Sequence, residues 1–346
     1  MKSTLIVAKL LFLLPFILVK SYGQAPDKVL VAFYNIENFF DTIDSPYTQD
    51  SEFTPTSAKE WNSVKYYNKL DKIASVIAAI NGHRDSETGP DIIGFCEVEN
   101  SSVLKDIINY KTLKTEGYKY IHTDSPDERG IDVALMYKPK SFTPEHWISY
   151  TLHLMNPVSG KNDHTRDQLV VGGLLNNRNT CFIINHWPSR SGGQIKSEPN
   201  RIAAALLTKH IADSVLKSDS TTQLIIMGDF NDDPDDISLA RYLNVKPDTD
   251  NLKDWEFYNP LYSEFSSGYG SLCYRDVWNL FDQIIVNDEL LKNYSIEKSQ
   301  IFAPDYLKEQ EGRYKNYPFR TFAGSKYLGG YSDHLPVYIQ LKKNNN

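Results

Sequence analysis

The stretch "QLIIMGDFN", Gln223–Asn231, is an apolar run that ends in polar residues, and it gives the first indication of the fold. A short run of large apolar residues that ends in Gly and Asp is typical of a buried β-strand leading into a loop. Asp229 and Asn231 flank Phe230, so their side chains point to the same side at the mouth of this strand. The sequence therefore places two polar side chains at the end of a predicted core strand.

Acidic residues continue to Asp236, and three interpretations of the stretch compete. A solvated turn explains Asp232–Asp236, since Asp and Pro favour turns, and these aspartates are also N-cap candidates for a helix predicted by "ISLARYL". A calcium-binding EF-hand loop starting at Asp229 is excluded, because its sixth and twelfth places hold Pro234 and Ala240 instead of Gly and Glu. The third interpretation is one edge of a metal-dependent phosphoester site.

Short runs rich in β-branched and aromatic residues recur along the chain and predict β-strands. They lie at residues 28–35, 91–98, 131–138, 168–175, 181–187, 223–230, 281–287 and 335–341. Amphipathic patterns at residues 65–81 and 201–216 predict two helices between them. No break in composition divides residues 24–346, so we expect a single α/β domain of about eight to ten strands.

Two segments, residues 245–278 and 304–331, are long, aromatic and without clear periodicity. Irregular stretches of this length within a domain are usually functional loops rather than linkers. We expect them to serve substrate binding, either by stacking on bases or by covering a small headgroup.

Residues 1–23 have the features of a secretory signal peptide: basic Lys2 and Lys9, an apolar run from Leu10 to Val19, and small residues in "SYG" before Gln24. The apolar run is too short to span a membrane. Lys9 and Lys20 interrupt the usual pattern and leave a retained anchor as the alternative. The expected location is secreted or periplasmic, with no integral membrane span in the mature chain.

Charge limits the classes of partner. The formal net charge of −7 becomes −10 when residues 1–23 are removed, because that segment contains three lysines and no acidic residue. Such an acidic protein does not attract polyanions in bulk. A phosphate-bearing substrate therefore needs local cations, either a metal or arginine, and the sequence indicates no protein partner.

The three cysteines, Cys96, Cys181 and Cys273, are an odd number, and the first two lie in predicted apolar strands. This is not the pattern of a disulfide framework. We expect buried free thiols at Cys96 and Cys181, while the pairing of any two of the three stays open.

Polar residues gather at the ends of the predicted strands. They are Asn35, Glu37, Glu97, Glu99, His186, Asp229, Asn231, Asp282, Asp333 and His334. A single acid or histidine in such a place is usually solvated or structural, but function concentrates on loops and edges that a sheet holds rigid. Carboxylate and amide oxygens suit Mg²⁺, Mn²⁺ or Ca²⁺, and no Cys or His pair has zinc spacing.

The motifs "GDFN" (Gly228–Asn231) and "SDHLPV" (Ser332–Val337), about a hundred residues apart and preceded by a strand-end glutamate, together resemble the endonuclease/exonuclease/phosphatase superfamily. The resemblance extends over almost the whole mature chain, from "FYNIENFFD" (Phe33–Asp41) to "YSDHLPV". It implies a four-layer α/β sandwich, in which two mainly antiparallel sheets pack face to face, helices flank them, and the site lies at one end. It also implies a divalent-metal-dependent phosphoesterase.

The resemblance implies roles for the residues on the metal side of this site. Glu97, in "GFCEVEN", corresponds to the principal metal ligand, with Asn35 beside it and Asp333 completing the set. Asp229 corresponds to the acid that positions or deprotonates the attacking water. Asn231 corresponds to the amide that contacts the phosphate.

The resemblance also implies two catalytic histidines. His334 corresponds to the histidine that contacts the scissile phosphate, with Asp282 as the carboxylate that orients it. Both residues are predicted at the start of a strand, so they can meet only if the strands run in the same direction or belong to different sheets. His186, in "INHWPSR", corresponds to a second histidine that donates to the phosphate or protonates the leaving group. Arg166, in "HTRDQLVV", is the candidate for a substrate-binding residue.

Two residues stand out on physical grounds. Asp132 lies inside a predicted buried strand, where an unpaired carboxylate is costly. Its partner is expected to be His186 or an arginine, which would place it behind the catalytic groups; a wet sheet edge is the equal alternative. Arg190 follows His186 closely and is a candidate for the local cation that an acidic phosphoesterase needs.

The sequence thus predicts a secreted or periplasmic hydrolase of phosphodiester bonds that uses Mg²⁺, with Mn²⁺ or Ca²⁺ as alternatives. Nucleic acid is the favoured substrate, because His186 favours diester cleavage, although the net charge argues against tight processive DNA binding. A lipid or sugar-phosphate phosphodiesterase or phosphatase, of the sphingomyelinase or inositol phosphatase type, is the first alternative. A catalytically silent binding protein of the same fold is the second.

Overall fold

The computed structural model describes residues 27–81, 88–155, 160–250 and 252–344. The predicted signal peptide, residues 1–23, lies outside the described residues. Strands and helices are numbered below in chain order.

The first large sheet has six strands. In spatial order they are β16 (Tyr294–Ile301), β19 (Val337–Lys343), β1 (Lys28–Phe39), β2 (Ile92–Val98), β4 (Asp132–Tyr137) and β3 (Lys119–His122). All neighbouring pairs are antiparallel except β1 and β2, which run parallel.

The second large sheet has seven strands. In spatial order they are β11 (Val245–Lys246), β12 (Phe257–Tyr258), β15 (Asp282–Asn287), β10 (Gln223–Asp229), β9 (Arg178–His186), β8 (Gln168–Leu175) and β5 (Phe142–Tyr150). Here β9 and β10 are parallel, as are β11 and β12, and the other pairs are antiparallel. Three small hairpins complete the strands: β6 (Leu154–Met155) with β7 (Asn162–Asp163), β13 (Leu272–Tyr274) with β14 (Val277–Asn279), and β17 (Phe322–Ala323) with β18 (Lys326–Tyr327).

The outer face of the first sheet is covered by α1 (Ser63–Ala79) and α2 (Ser101–Ile108), and that of the second sheet by α3 (Gln194–Ser218). Two short helices, α4 (Tyr262–Ser266) and α5 (Asp288–Asn293), instead contribute Phe265 and Leu290 to the core between the sheets. A π-helical segment lies at Ser238–Leu243 and 3₁₀ turns at Ser51–Phe53, Lys111–Glu116 and Asp305–Leu307. The two predicted helices correspond to α1 and to most of α3. The side chains of Asn62 and Asn100 cap α1 and α2 by accepting backbone N–H bonds.

Three hydrophobic cores separate the layers. Along β1, Leu30, Ala32 and Tyr34 face α1 and α2, whereas the alternate residues Val31 and Phe33 face the second sheet. This alternation is the period-two pattern of a strand that is buried on both faces. A third core lies between the second sheet and α3. The layers are therefore helix, sheet, sheet and helix, which confirms the predicted four-layer α/β sandwich.

The prediction of eight to ten strands was too low, since the two large sheets alone contain more. The strands that sequence patterns missed include every edge strand: β16 and β3 in the first sheet, β11 and β5 in the second. Eight of the nine residues of β5 are at least partly exposed to solvent. An edge strand buries neither face fully and so lacks the continuous apolar run that identifies a central strand.

Among the described residues, no helix is both long and apolar enough to cross a membrane. Cys96, Cys181 and Cys273 are all buried free thiols, so the expectation for Cys96 and Cys181 is confirmed.

The topology brings the polar strand ends together at one rim. The parallel strands β1 and β2 end there, and so do the parallel strands β9 and β10 of the other sheet. Strands β15 and β19 start at the same rim, because each is antiparallel to one of these strands. Six strands from two sheets therefore present their ends to one region.

Candidate active site

Asp229 lies at the centre of this rim. It is the last residue of β10, and in the strand register it stands opposite His186 of β9 on one side and Asp282 of β15 on the other. Directly opposed residues in neighbouring strands have adjacent side chains on the same face. The second sheet therefore places His186 on one side of Asp229 and Asp282 on the other. All three side chains are buried.

His334 and Asp282 form the predicted pair. Nδ1 of His334 lies 2.6 Å from Oδ2 of Asp282, and the hydroxyl of Ser271 donates to the same oxygen over 2.6 Å. The strands that these residues begin or precede, β15 and β19, belong to different sheets, as the pairing requires. Burial acts to lower the pKa of His334, but the charges of Asp282 and Asp229 outweigh it and raise the pKa well above its usual value. His334 is therefore held as a cation at neutral pH.

His186 has the opposite electrostatic environment. Its Nε2 lies 3.7 Å from Oδ2 of Asp229 and 3.9 Å from Oε1 of Glu97. Burial, together with the nearby charge of Arg166, lowers the pKa of His186 well below its usual value. Nδ1 of His186 is buried without a hydrogen-bond partner among the described residues. A proton on Nε2 is the favoured arrangement, because an unpaired buried lone pair costs less than an unpaired N–H.

The first sheet contributes Asn35 and Glu97 to the same region. Nδ2 of Asn35 donates to Oδ2 of Asp229 over 3.0 Å, which joins the two sheets. Oε2 of Glu97 accepts the backbone N–H of Asn38 over 2.7 Å. Glu97 has a φ of 62°, in the left-handed region, and the register between β2 and β4 shifts at this residue. A bulge of this kind redirects a side chain at a strand end, and here it turns Glu97 toward the rim.

Asn231 also has left-handed backbone, with a φ of 51°. Its N–H donates to Oδ1 of Asp229 over 2.9 Å, and its Nδ2 donates to the carbonyl of Trp187 over 3.0 Å. Asn is one of the few residues that adopt this conformation readily. The turn after β10 therefore both fixes one oxygen of Asp229 and holds the Asn231 amide next to it.

A second group of acids lies beside Asn35. Oδ2 of Asp333 pairs with Nη2 of Arg320 at 2.6 Å, and the carboxylate of Glu37 accepts the backbone N–H of Thr321 over 2.6 Å. Burial and the charge of Asp333 raise the pKa of Glu37 to about 7, although the charge of Lys69 opposes them. The negative charge at the rim is thus only partly compensated.

Asp229 shows the same excess of negative charge. Burial raises its pKa to about 7, with Asp282 and Glu97 adding to the shift and His334 opposing it. A divalent cation neutralises this kind of crowded oxygen cluster, so the residues present fit a metal of the Mg²⁺ class. Glu97, Asn35 and Asp333 stay the predicted ligands of this cation. Bound there, the cation would offset charge on the phosphate and lower the pKa of a water molecule.

The two arginines predicted to bind substrate are both engaged with the protein. Nη2 of Arg166 donates to the carbonyl of Trp187 over 2.7 Å, and Nη1 lies 3.3 Å from Asp127. Nη2 of Arg190 lies 2.6 Å from Oδ2 of Asp236 and also contacts Asp232 and Asp233. Their roles toward a substrate stay predictions.

The aspartates after the "GDFN" motif form a turn, as predicted, but none of them caps the π-helical segment, whose N-cap is Ile237. Asp232 is instead buried, with Oδ1 2.6 Å from Nε of the fully buried Arg201 and Oδ2 accepting the hydroxyl of Ser238. The acidic turn is therefore tied down by arginines behind the site.

The predicted partner of Asp132 was wrong. Asp132 is buried, which also excludes a wet sheet edge, and its Oδ2 lies 3.0 Å from Nε2 of His122. Its other oxygen accepts the N–H of Ser125 over 2.9 Å. His122 comes from β3, an edge strand that the sequence did not reveal, so its proximity could not be foreseen. Asp132 consequently supports the β3–β4 edge rather than His186.

Three residues next to the site were not predicted from the sequence: Lys69, Arg320 and Ser271. Lys69 had a usable signal, since it lies on the apolar face of a predicted helix, between Tyr66 and Ile73, where a lysine needs a specific partner. Arg320 and Ser271 lie in the irregular segments and had none.

The model of the Endonuclease/Exonuclease/phosphatase family matches residues 30–343. The chain belongs to this family. Its enzymes are metal-dependent hydrolases of phosphoester bonds, and the expectation of an enzyme of this class is confirmed at that level. No protein in a search of curated sequences matches the chain.

Solved structures share the family fold at low sequence identity. An endonuclease/exonuclease/phosphatase family protein from Bacteroides thetaiotaomicron is 16% identical, with a TM-score of 0.57 over 92% of this chain and 99% of that chain. A mannosyl-6-phosphatase from the same organism is 16% identical, with a TM-score of 0.54 over 90% and 99%. D. rerio TDP2 complexed with single strand DNA product is 10% identical, with a TM-score of 0.54 over 92% and 100%.

Proposed function

We propose that this family member is a Mg²⁺-dependent phosphodiesterase that cleaves nucleic acid. The observation that carries the proposal is the position of two histidines around one carboxylate oxygen. Oδ2 of Asp229 lies 3.7 Å from Nε2 of His186 and 3.9 Å from Nε2 of His334. The two histidines, one cationic and one neutral, are thus hydrogen-bond donors on either side of Asp229. A phosphate bound between them could be attacked by water on one side and release its leaving group on the other.

Asp229, His334 and His186 have different roles in the proposed hydrolysis. Asp229, fixed by Asn231 and Asn35, is placed to orient a water molecule and accept its proton. The cationic His334 donates from Nε2 to a non-bridging phosphate oxygen, because Asp282 occupies Nδ1. His186 donates from Nε2 toward the departing oxygen. Groups fixed in advance at the positions where charge develops stabilise the transition state without reorganisation.

The preference for a diester follows from His186. The leaving alkoxide of a diester needs a proton or a hydrogen bond, and a buried histidine beside Asp229 is suited to give one. Within the fold, D. rerio TDP2 has been seen with a single strand DNA product, which supports a nucleic-acid substrate.

A sugar-phosphate phosphatase is the second candidate. It is favoured by the likeness to the Bacteroides thetaiotaomicron mannosyl-6-phosphatase, which at 16% identity exceeds the 10% shared with D. rerio TDP2.

One substrate panel tests both candidates. Purified protein in Mg²⁺ is incubated with single-stranded and plasmid DNA, RNA, sphingomyelin, bis-nitrophenyl phosphate and mannose 6-phosphate. The proposal predicts cleavage of DNA or RNA and of bis-nitrophenyl phosphate at rates at least tenfold above release of phosphate from the sugar. Turnover of mannose 6-phosphate alone would support the second candidate instead. The Asp229→Asn variant is the control, and it should be inactive on every member of the panel.

We further propose that the protein acts outside the cytoplasm. The support is the signal-like sequence of residues 1–23, which contains an apolar run behind basic residues.

A further inference from the structure

We propose that a pocket beside the catalytic rim binds one nucleotide of the substrate, by stacking on its base and by pairing with its phosphate. This inference rests on the proposed nuclease function and specifies where the flanking part of the strand lies. The pocket encloses about 420 Å³, a size within the range of small-molecule sites. Its aromatic and cationic lining, called here the Tyr–Arg pocket, consists of Tyr274, Arg275, Arg313, Tyr314, Tyr317 and Arg320.

The Tyr–Arg pocket is continuous with the catalytic rim through two of its walls. Arg320 pairs with Asp333 at 2.6 Å, next to His334. The other wall is the β13–β14 hairpin, whose first residue, Leu272, forms a β-bridge with His334. A substrate with its scissile phosphate at His334 therefore reaches the pocket with its neighbouring unit.

The hairpin holds its tip in a fixed position. Arg275 and Asp276 form a two-residue turn with φ values of 51° and 65°, the conformation of a type I′ turn. The hydroxyl of Tyr317 accepts the N–H of Asp276 over 2.6 Å and donates to its Oδ1 over 2.5 Å. Tyr317 belongs to the irregular segment 304–331, so the two aromatic segments are tied together at the mouth of the pocket. Such preorganisation lowers the entropic cost of binding.

The pocket lining contains three arginines, Arg275, Arg313 and Arg320, and two acidic residues, Asp276 and Glu309. Arg275 and Arg313 are exposed, and among the described residues neither forms an ion pair. In a chain whose net charge is strongly negative, two unpaired guanidinium groups beside a phosphoesterase site meet the need for local cations. Arg190, the cation that the sequence suggested for this purpose, differs from them in that its guanidinium pairs with three aspartates.

Aromatic rings complete the recognition surface. Tyr274 and Tyr314 expose 62% and 56% of their surface, and Tyr314 packs edge-on against Tyr317 at 5.4 Å. Each exposed ring also has a guanidinium over it: Arg275 lies 5.2 Å from the centre of Tyr274, and Arg313 lies 5.8 Å from that of Tyr314. Exposed rings alternating with arginines are the arrangement that binds single-stranded nucleic acid, since every base can stack and every phosphate is anionic.

The first test removes the charge. Arg275→Gln/Arg313→Gln is compared with Arg178→Gln, an exposed arginine at the far end of β9. Binding of fluorescein-labelled hexathymidylate is measured by anisotropy in Mg²⁺, with His334→Ala in every protein to keep the probe intact. The double variant should bind about tenfold more weakly and with a shallower salt dependence, whereas Arg178→Gln should match its parent. Equal binding by the double variant and its parent, or no binding by the parent, would overturn the proposal.

The second test separates stacking from charge and the pocket from the catalytic centre. Tyr314→Leu should raise KM for the oligonucleotide about tenfold, whereas Tyr314→Phe keeps the ring and should not. Neither should change kcat/KM for bis-nitrophenyl phosphate, which has no nucleotide to place in the pocket. A parallel loss on both substrates would refute a separate subsite. An oligonucleotide that binds through the pocket but is not cleaved would refute the nuclease function and leave the subsite standing.

Discussion

At the scale of single residues, the site depends on charges that are balanced across short distances. Asp229 receives hydrogen bonds from Asn35 and from Asn231, and it lies between one cationic and one neutral histidine. The Asp282–His334 pair could be predicted, because the family resemblance implies it and each residue lies at the start of a recognisable apolar run. The Asp132–His122 pair could not, because nothing in the sequence places a short polar edge strand beside β4.

The Asp282→Asn substitution tests the pair directly. An amide keeps the shape of the side chain but withdraws the charge that raises the pKa of His334. His334 is active while protonated, so activity is present below its pKa and is lost as the pH rises through it. Turnover should fall roughly a hundredfold, and the alkaline limb of the pH–rate profile should move to lower pH. Unchanged turnover with an unchanged profile would show that the pairing has no part in the mechanism.

Glu97→Gln tests the ligand assignment. Replacing one carboxylate oxygen by an amide group weakens an oxygen site for a hard cation, while the buried surroundings of the strand end remain. Activity should disappear at low Mg²⁺ and recover only partly at high Mg²⁺, and the melting temperature in EDTA should match that of the wild type. Full activity of the variant at low Mg²⁺ would remove Glu97 from the metal site. Glu145→Gln, at an exposed position of the edge strand β5, is a suitable control.

At the scale of elements, helices and loops hold the strand ends in place. Lys69 of α1 is fully buried, and its Nζ donates to the carbonyl of Glu37 and to the hydroxyl of Thr321, each over 2.6 Å. One side chain thus connects α1, the end of β1 and the segment 304–331. The central strands were predictable because they contain continuous apolar runs. The edge strands and the two irregular segments were not, because their conformation depends on tertiary contacts that leave no local sequence pattern.

Lys69→Met should loosen this connection. The new side chain has a similar length but leaves the Glu37 carbonyl and the Thr321 hydroxyl without their donor. The free energy of unfolding should fall by about 1–3 kcal/mol, measured by urea denaturation. Lys105→Met, at an exposed position of α2, should leave it within about 0.5 kcal/mol of the wild type. If the two variants prove equally stable, Lys69 does not hold the loop.

At the scale of the whole molecule, the sandwich architecture brings the site residues together. The parallel strands β1 and β2 of one sheet, and β9 and β10 of the other, end at the same rim, and their antiparallel neighbours β19 and β15 start there. The four-layer architecture could be predicted from the motifs at Asp229 and His334 together. The packing of one sheet against the other, which brings Asn35 next to Asp229, could not be predicted from the sequence. A period-two pattern shows which face of a strand is buried, but it does not show which element packs on that face.

The proposed location makes a prediction about the mature chain. If residues 1–23 are a cleaved signal peptide, expression of the full sequence in a bacterium should release a protein that starts at Gln24. N-terminal sequencing and intact mass of the periplasmic fraction measure this. A protein that keeps Met1 and sediments with membranes would favour the retained anchor.

The central claim is that the rim is a divalent-metal phosphodiesterase site. Hydrolysis of bis-nitrophenyl phosphate tests it most directly, measured in the purified protein before EDTA, after EDTA, and after Mg²⁺, Mn²⁺ or Zn²⁺ is restored. We expect EDTA to abolish nitrophenolate release, and Mg²⁺ or Mn²⁺ to restore it, because the predicted ligands are oxygens. Hydrolysis that persists in EDTA, or that only Zn²⁺ restores, would contradict the account.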